Sequence, residues 1–211
     1  GVMARPAQRA DARRNRAAIM RAARDLFAVK GPALSTEEVA RTAGVGIGTV
    51  FRHFPSKEKL LEALYHERLE QTAERARAAA RAPDPGAAVF DFLTETVLDS
   101  GAKIALADAL ADAGIDVRAG AGPHGHDLTN ALTELLTRAQ QAGAVRADIG
   151  ASELAAVLYG ASRAAGFAVS KEIRSRTVRV ILDGLRPPSH PTEKKKAAPA
   201  GARDPGQRVT K

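Results

Sequence analysis

Cysteine and tryptophan are both absent from the 211 residues, and aromatic side chains make up only 4%. Without a thiol there is no disulfide scaffold, no thiol nucleophile and no cysteine-ligated zinc. No run of alternating β-branched residues bounded by turn signals occurs either, so nothing in the chain asks for a sheet. No stretch approaches the roughly 18 uninterrupted apolar residues of a membrane span. The arginine-rich beginning is followed by no apolar signal core, and a cytoplasmic protein without membrane attachment is expected. The five histidines, at 53, 66, 124, 126 and 190, are scattered along the chain. No cluster joins a nucleophile, a base and an orienting partner, so neither an enzyme nor a cofactor is expected.

What the sequence has is charge, unevenly placed. The formal total is +8, with 12 Lys/Arg against 5 Asp/Glu in residues 1–59, 13 against 17 in 60–185, and 7 against 2 in 186–211. A basic head on an acidic body is the footprint of a nucleic-acid binder, because each phosphate contact by Lys or Arg releases condensed counterions. The plainer alternative is an arginine-rich solvated surface.

Hydrophobic residues amount to 45%, and almost every periodic segment has the helical repeat, which predicts an all-α fold of about nine helices. Ile19, Ala23, Leu26 and Phe27 place a helix over residues 11–30, ended by Gly31 and Pro32, with residues 1–10 expected to be a flexible basic lead. Ser35 and Glu38 have capping-box spacing and open a two-turn helix that stops at Gly44. Another short helix is expected over 49–54, and Ser56 caps a long one running from Lys57 to about Ala80. Further helices are predicted at 89–98, 104–113, 154–169 and 173–185, and an apolar stripe of Leu128, Leu132, Leu135 and Leu136 ends before Gly143. The glycine-rich segment 114–126 reads as a loop and the proline- and lysine-containing segment 187–211 as a disordered basic tail.

Two short helices joined by a glycine-containing turn and preceded by a longer one describe a helix-turn-helix, whose second helix enters the DNA major groove. Val39, Ala40, Ala43, Val45, Val50 and Phe54 supply its core. Gly46, Ile47, Gly48, Thr49, Phe51, Arg52 and His53 are left to face outward or along the rim. Glycines at the start of a recognition helix weaken it but allow the backbone close to DNA. Helix N-termini and hydroxyls hold phosphates, which adds Ser35 to the candidates. Arg52 is the best candidate for a bidentate contact to guanine, with a phosphate clamp as the alternative, and Ile47 can pack on a thymine methyl. Arg13, Arg14 and Arg16 suit an arm reaching an adjacent groove, or simple solvation.

The string from Ser35-Thr36-Glu37-Glu38-Val39-Ala40 through Gly44-Val45-Gly46-Ile47-Gly48-Thr49-Val50-Phe51-Arg52-His53-Phe54-Pro55-Ser56-Lys57-Glu58-Lys59-Leu60-Leu61 resembles the N-terminal domain of the TetR family of repressors, over about residues 14–64. The remainder resembles that family in length and in its helical character. The resemblance implies phosphate contacts by Thr36, Thr49, Phe51, His53 and Lys57 and approach to base edges by Gly46, Ile47, Gly48 and Arg52. Phe51 replaces the more usual tyrosine and lacks its hydroxyl, and Ile47 replaces a polar reader. The division implied is a DNA-binding domain over 11–56 and a regulatory and dimerisation domain over 57–186. It also implies a homodimer on palindromic double-stranded DNA, released by a small-molecule effector that shifts the fourth helix. A DNA-binding architectural or activating regulator without a small-molecule effector is the alternative.

Leu93, Val97, Ile104, Leu132, Leu136 and Phe167 are candidates to line the effector pocket, with ordinary core as the competing account. For the dimer interface the candidates are Leu154, Val157, Leu158, Ala161, Val178, Ile181, Leu182 and Leu185, which burial within one subunit would explain equally. Gly120 to Gly125 spells G-x-G-x-x-G, but no strand precedes it and Pro123 interrupts it, so no dinucleotide site is expected. Ser56 and Lys59 match S-x-x-K as a helix cap followed by an exposed lysine. His124, His126 and Asp127 have metal-ligand side chains on glycine-rich flanks that offer no second shell, and no metal is expected.

Overall fold

A computed structural model describes residues 4–117 and 122–188. Among them the chain forms nine α-helices: α1 Ala4–Lys30, α2 Thr36–Ala43, α3 Ile47–His53, α4 Lys57–Ala80, α5 Pro85–Leu98, α6 Gly101–Asp112, α7 Gly122–Gln141, α8 Ala151–Phe167 and α9 Lys171–Asp183. No strand occurs among the described residues, and no helix is long and apolar enough to cross a membrane.

The caps fall where short-range chemistry puts them. The Glu38 amide donates to Ser35 Oγ at 3.2 Å and the Ser35 amide donates to Glu38 Oε2 at 3.1 Å, closing the capping box on α2. The Lys59 amide donates to Ser56 Oγ and the Ile173 amide to Ser170 Oγ, each at 3.2 Å, opening α4 and α9 in the same manner. Gly44 ends α2 with φ +71, a left-handed geometry that a side chain would strain.

Two expectations need correction. The first helix begins at Ala4, so Arg9, Arg13, Arg14 and Arg16 stand on a helix and do not form a flexible lead. Alanine and arginine propagate a helix readily, and no breaker follows Pro6, which sits in the first turn where its missing amide costs nothing. The second concerns residues 114–126, expected to be a loop: from Gly122 onward they are helical. Pro123 again occupies a first turn, and α4 supplies partners to the residues behind it. His124 stacks on His66 with ring centroids 4.8 Å apart, and Asp127 accepts from Arg77 at 2.8 Å. The G-x-G-x-x-G string lies partly outside the described residues, as do residues 189–211 of the expected basic tail.

Two apolar cores divide the molecule, and the division does not fall at residue 57. The first gathers Ile19, Ala23 and Phe27 of α1, Val39 and Ala40 of α2, Val50 of α3, and Leu60, Leu61, Leu64, Tyr65 and Leu69 of α4, joined by Leu106 and Leu110 of α6. The second holds Ala73, Ala76 and Ala80 of α4 with Phe92, Leu93, Leu132, Leu135, Leu154, Leu158, Val178 and Leu182. Helix α4 therefore belongs to both, its first half to the head and its second to the body, and α6 reaches from the body into the head. At about 1.5–3 kcal/mol for each large apolar side chain buried, these shared helices tie the two cores together.

Candidate nucleic-acid interface and regulatory cavity

Helices α2 and α3 are held by an inward row and leave an outward one free. Val39 and Val50 are fully buried and Phe54 nearly so, while the Arg16 guanidinium covers the Phe54 ring 5.0 Å from its centroid. Between α2 and α3 the Val45 amide donates to Ala40 O at 3.0 Å, and the Thr49 amide to Gly46 O at 2.9 Å starts the next turn. With the inward row anchored, Gly46, Ile47, Gly48, Phe51 and Arg52 are exposed and Thr49 and His53 half-buried. Ile47 and Phe51 keep 39% and 43% of their surface in solvent. Large apolar side chains on a convex basic face have nothing of their own subunit to cover them.

The two glycines are informative. Neither has a positive φ, and a Cβ built on Gly46 or Gly48 would meet nothing within 4 Å. Neither backbone geometry nor packing inside the subunit requires glycine there, so the room they leave faces outward.

The other candidates are placed less uniformly. Ser35 is half-buried with its hydroxyl engaged in the cap, and Thr36 is only 9% exposed, its hydroxyl donating to Glu37 Oε2 at 3.4 Å. The Lys57 ammonium donates to the Pro32 carbonyl, bridging the start of α4 to the segment after α1. Lys30 pairs with Glu38, and this ammonium together with the Ser35 amide holds the Glu38 carboxyl below the usual glutamate range. Arg41, exposed near the end of α2, was not singled out by the sequence pattern.

The body contains a cavity of about 190 Å³ between α4, α6, α7 and α8, reaching the loop after α6. Ile104 and Leu132 line it as expected. Leu93, Val97 and Leu136 do not: they are 3% exposed or less inside the second core, away from the cavity wall. Phe167 is 92% exposed, because Ala165 is the last inward position of α8 and a residue two places on turns away. The wall also carries polar groups that periodicity did not reveal: Tyr65 and Thr72 from α4, Thr96 from α5, Lys103 and Asp108 from α6, and Tyr159, Ser162 and Arg163 from α8. Arg163 donates to Asp108 at 2.9 Å and to the Tyr159 hydroxyl at 3.2 Å, and its guanidinium holds the Asp108 carboxyl below its ordinary range. The one advance signal for Lys103 was a lone lysine in the otherwise apolar start of α6.

The interface candidates on α8 and α9 also need correction. Leu154, Leu158, Ala161, Val178, Leu182 and Leu185 are all buried in the subunit's own second core, and only Val157 and Ile181 remain half-buried at its edge. Both helices are apolar on more than one side, so periodicity could not choose the inward side. The outward side shows Tyr159, Phe167, Val169, Ile173 and Val180, from 39% to 92% exposed.

A helix-turn-helix with a free, basic, glycine-lightened second helix, joined by a shared helix to an all-helical body containing a cavity, defines a DNA-binding transcriptional regulator. Comparison with known proteins fixes the family. Residues 19–64 match the model of bacterial regulatory proteins of the tetR family, and residues 84–187 match the C-terminal domain of SbtR-like transcriptional regulators. A TetR transcription regulatory protein from Mycobacterium vanbaalenii is 40% identical, with a TM-score of 0.65 over 85% of this chain and 99% of that one. A TetR transcriptional regulator from Streptomyces coelicolor is 29% identical, with a TM-score of 0.61 over 82% of this chain and 99% of that one. The HTH-type transcriptional regulator UidR of Escherichia coli K12 is 32% identical over 89 residues, so the match spans 42% of this chain and 43% of that curated relative. The chain belongs to the TetR family of transcriptional regulators and is not an enzyme.

Proposed function

We propose that the protein is a homodimeric repressor that binds a palindromic operator through α3 and is released from it by a small molecule entering the cavity of the body. The observation that carries the DNA assignment is the outward face of α3. Ile47, Phe51 and Arg52 are exposed there, beside two glycines whose small size serves nothing inside the subunit. On this reading Arg52 reads a base edge, Ile47 packs on a thymine methyl, and Thr49, His53 and Lys57 hold phosphates with Ser35, Thr36 and Phe51 at the margin.

A helix-turn-helix pair reads two half-sites about 34 Å apart, which requires a two-fold axis. The outward faces of α8 and α9 suit that axis: Tyr159, Phe167, Ile173 and Val180 are exposed apolar residues, and Val157 and Ile181 border them. Response to an effector follows from α4 and α6, since both line the cavity and both pack in the core that seats α3. A ligand that favours one arrangement of these helices changes operator affinity by the same differential free energy.

The test is selection of bound genomic fragments followed by titration of the recovered site. A palindrome is expected. Lys57→Ala should weaken all sequences and reduce the salt slope by about one, while Arg52→Ala should relax preference at one position of each half-site, a loss of about 1–3 kcal/mol. Unchanged binding by the double variant overturns the assignment.

A further inference from the structure

The cavity contains a charge with no partner. Lys103 projects from α6 into its wall and has neither a hydrogen-bonding nor an ion-pairing partner among the described residues. Thr96, 6% exposed on the facing α5, lines the same wall and leaves its hydroxyl oxygen without a hydrogen bond. Behind them lies a void of about 20 Å³ bordered by Thr96, Lys103 and Arg75, and the buried Nε of Arg75 is also unpartnered. The carboxylate at that end, Asp99, is shared by Arg68 at 3.5 Å and Arg75 at 4.0 Å. Three donor-bearing groups thus border one void whose lining carboxylate, Asp99, is already shared by two arginines, and unsatisfied buried polar groups are costly. Burial, reinforced by the neighbouring Arg75 guanidinium, pushes the Lys103 ammonium below its ordinary range, so the site favours an anion that would restore the charge.

The rest of the cavity is of different character. Ala107, Ala111, Ile115, Leu128 and Leu132 give it an apolar lining, with the Asp116 carboxylate, which has an interaction of its own, beside Ile115. Asp108, more than a turn further along α6, and Arg163 of α8 satisfy each other and do not compete for an anion. The volume of about 190 Å³ compares with the ~150 Å³ dry cavity that accepts benzene. It suits an apolar body of about eight non-hydrogen atoms on that scale.

We propose that the effector is a small organic acid, its carboxylate held by Lys103 and Thr96 and its apolar body lying along α6 and α7. The inference rests on the effector response proposed above and names its chemistry. Lys103, Ala107 and Ala111 form the cavity-facing row of α6, while Leu106 and Leu110 on the same helix pack in the core of the DNA-binding head. An anion drawn to Lys103 therefore pulls on a helix whose adjoining face, through Leu106 and Leu110 one and two turns on, seats the head.

The experiment titrates the full chain, without DNA, with hexanoate, octanoate and decanoate, each against its matching alcohol, by calorimetry. At least one acid should bind the parent ten-fold or more tightly than its alcohol. Lys103→Met should abolish that preference while keeping the alcohol affinity, Lys103→Arg should retain it, and Thr96→Val should weaken the acid several-fold alone. Equal binding of every acid and its alcohol overturns the inference, as does a preference that survives Lys103→Met. Should Lys103→Met melt early, the arginine and valine variants decide by the same criteria. Because DNA is absent, these failures leave operator binding untouched. Lys103-dependent acid binding that leaves operator affinity unchanged would instead support the site and overturn the release mechanism.

Discussion

Arg24 of α1 and Glu67 of α4 meet through two parallel hydrogen bonds, from Nε to Oε2 at 3.1 Å and from Nη2 to Oε1 at 2.8 Å. The pair joins the helix that buttresses the helix-turn-helix to the helix shared with the body. Both side chains keep part of their surface in solvent, 39% and 26%, so the stabilisation is at most about 1 kcal/mol. A double-mutant cycle with Arg24→Ala and Glu67→Ala, read by denaturant midpoints, should give a coupling between about 0.3 and 1 kcal/mol. A coupling of zero would mean that apolar packing alone fixes α1 against α4.

Gly48→Ala should separate folding from function. Alanine replaces a glycine in the first turn of α3, a gain of at most about 1 kcal/mol, and the added Cβ meets nothing within 4 Å. Thermal melting should rise by about 2–4 °C. Operator affinity should nevertheless fall about ten-fold, because the methyl would stand between α3 and the groove floor. Undiminished affinity would show that the backbone does not approach DNA closely at that point.

Acidification should destabilise the protein through His66. Burial and the adjacent His124 lower its pKa, outweighing the opposite pull of Glu62 and Glu70. The unfolded chain, with histidine near pKa 6.5, then binds more protons than the folded one. Stability is complete above about pH 6.5 and declines as the pH falls toward the lower folded value. Melting temperature should fall from pH 7 to 5.5, and His66→Asn should flatten that slope. An unchanged slope would assign the effect to another group.

Phe167→Asp with Val180→Asp places charge on the outward face of α8 and α9, at residues 92% and 72% exposed in the subunit. The subunit's own fold should survive, with little change in helical content. On the proposed two-fold assembly, sedimentation should report a dimer for the parent and a monomer for the variant, and operator affinity should drop by a factor of ~100 or more as the second half-site is lost. A variant that still sediments as a dimer would move the two-fold axis elsewhere.

Local chemistry was legible in the residues. Ser35 and Glu38, Gly44, and Ser56 before Lys57 marked helix ends that the structure places at the same positions, since a cap is settled within four residues. The helix-turn-helix followed, because Val39, Val50 and Phe54 at helical spacing leave only one way to close so small a core. Other features lay beyond such reasoning. The start of α7 at Gly122 depends on α4, whose His66 and Arg77 engage His124 and Asp127.

The sequence by itself determined the all-helical class, the caps of α2 and α4 and the outward row of α3, all of which rest on interactions between near neighbours in the chain. Only the tertiary structure decided which side of α8 and α9 turns inward, that Leu93, Val97 and Leu136 are solid core, and that Lys103 stands unpaired beside Thr96. A helix apolar on several sides carries no internal mark of which side a distant segment will cover. Whether a polar group finds a partner depends on residues far away along the chain, so the packing settles it.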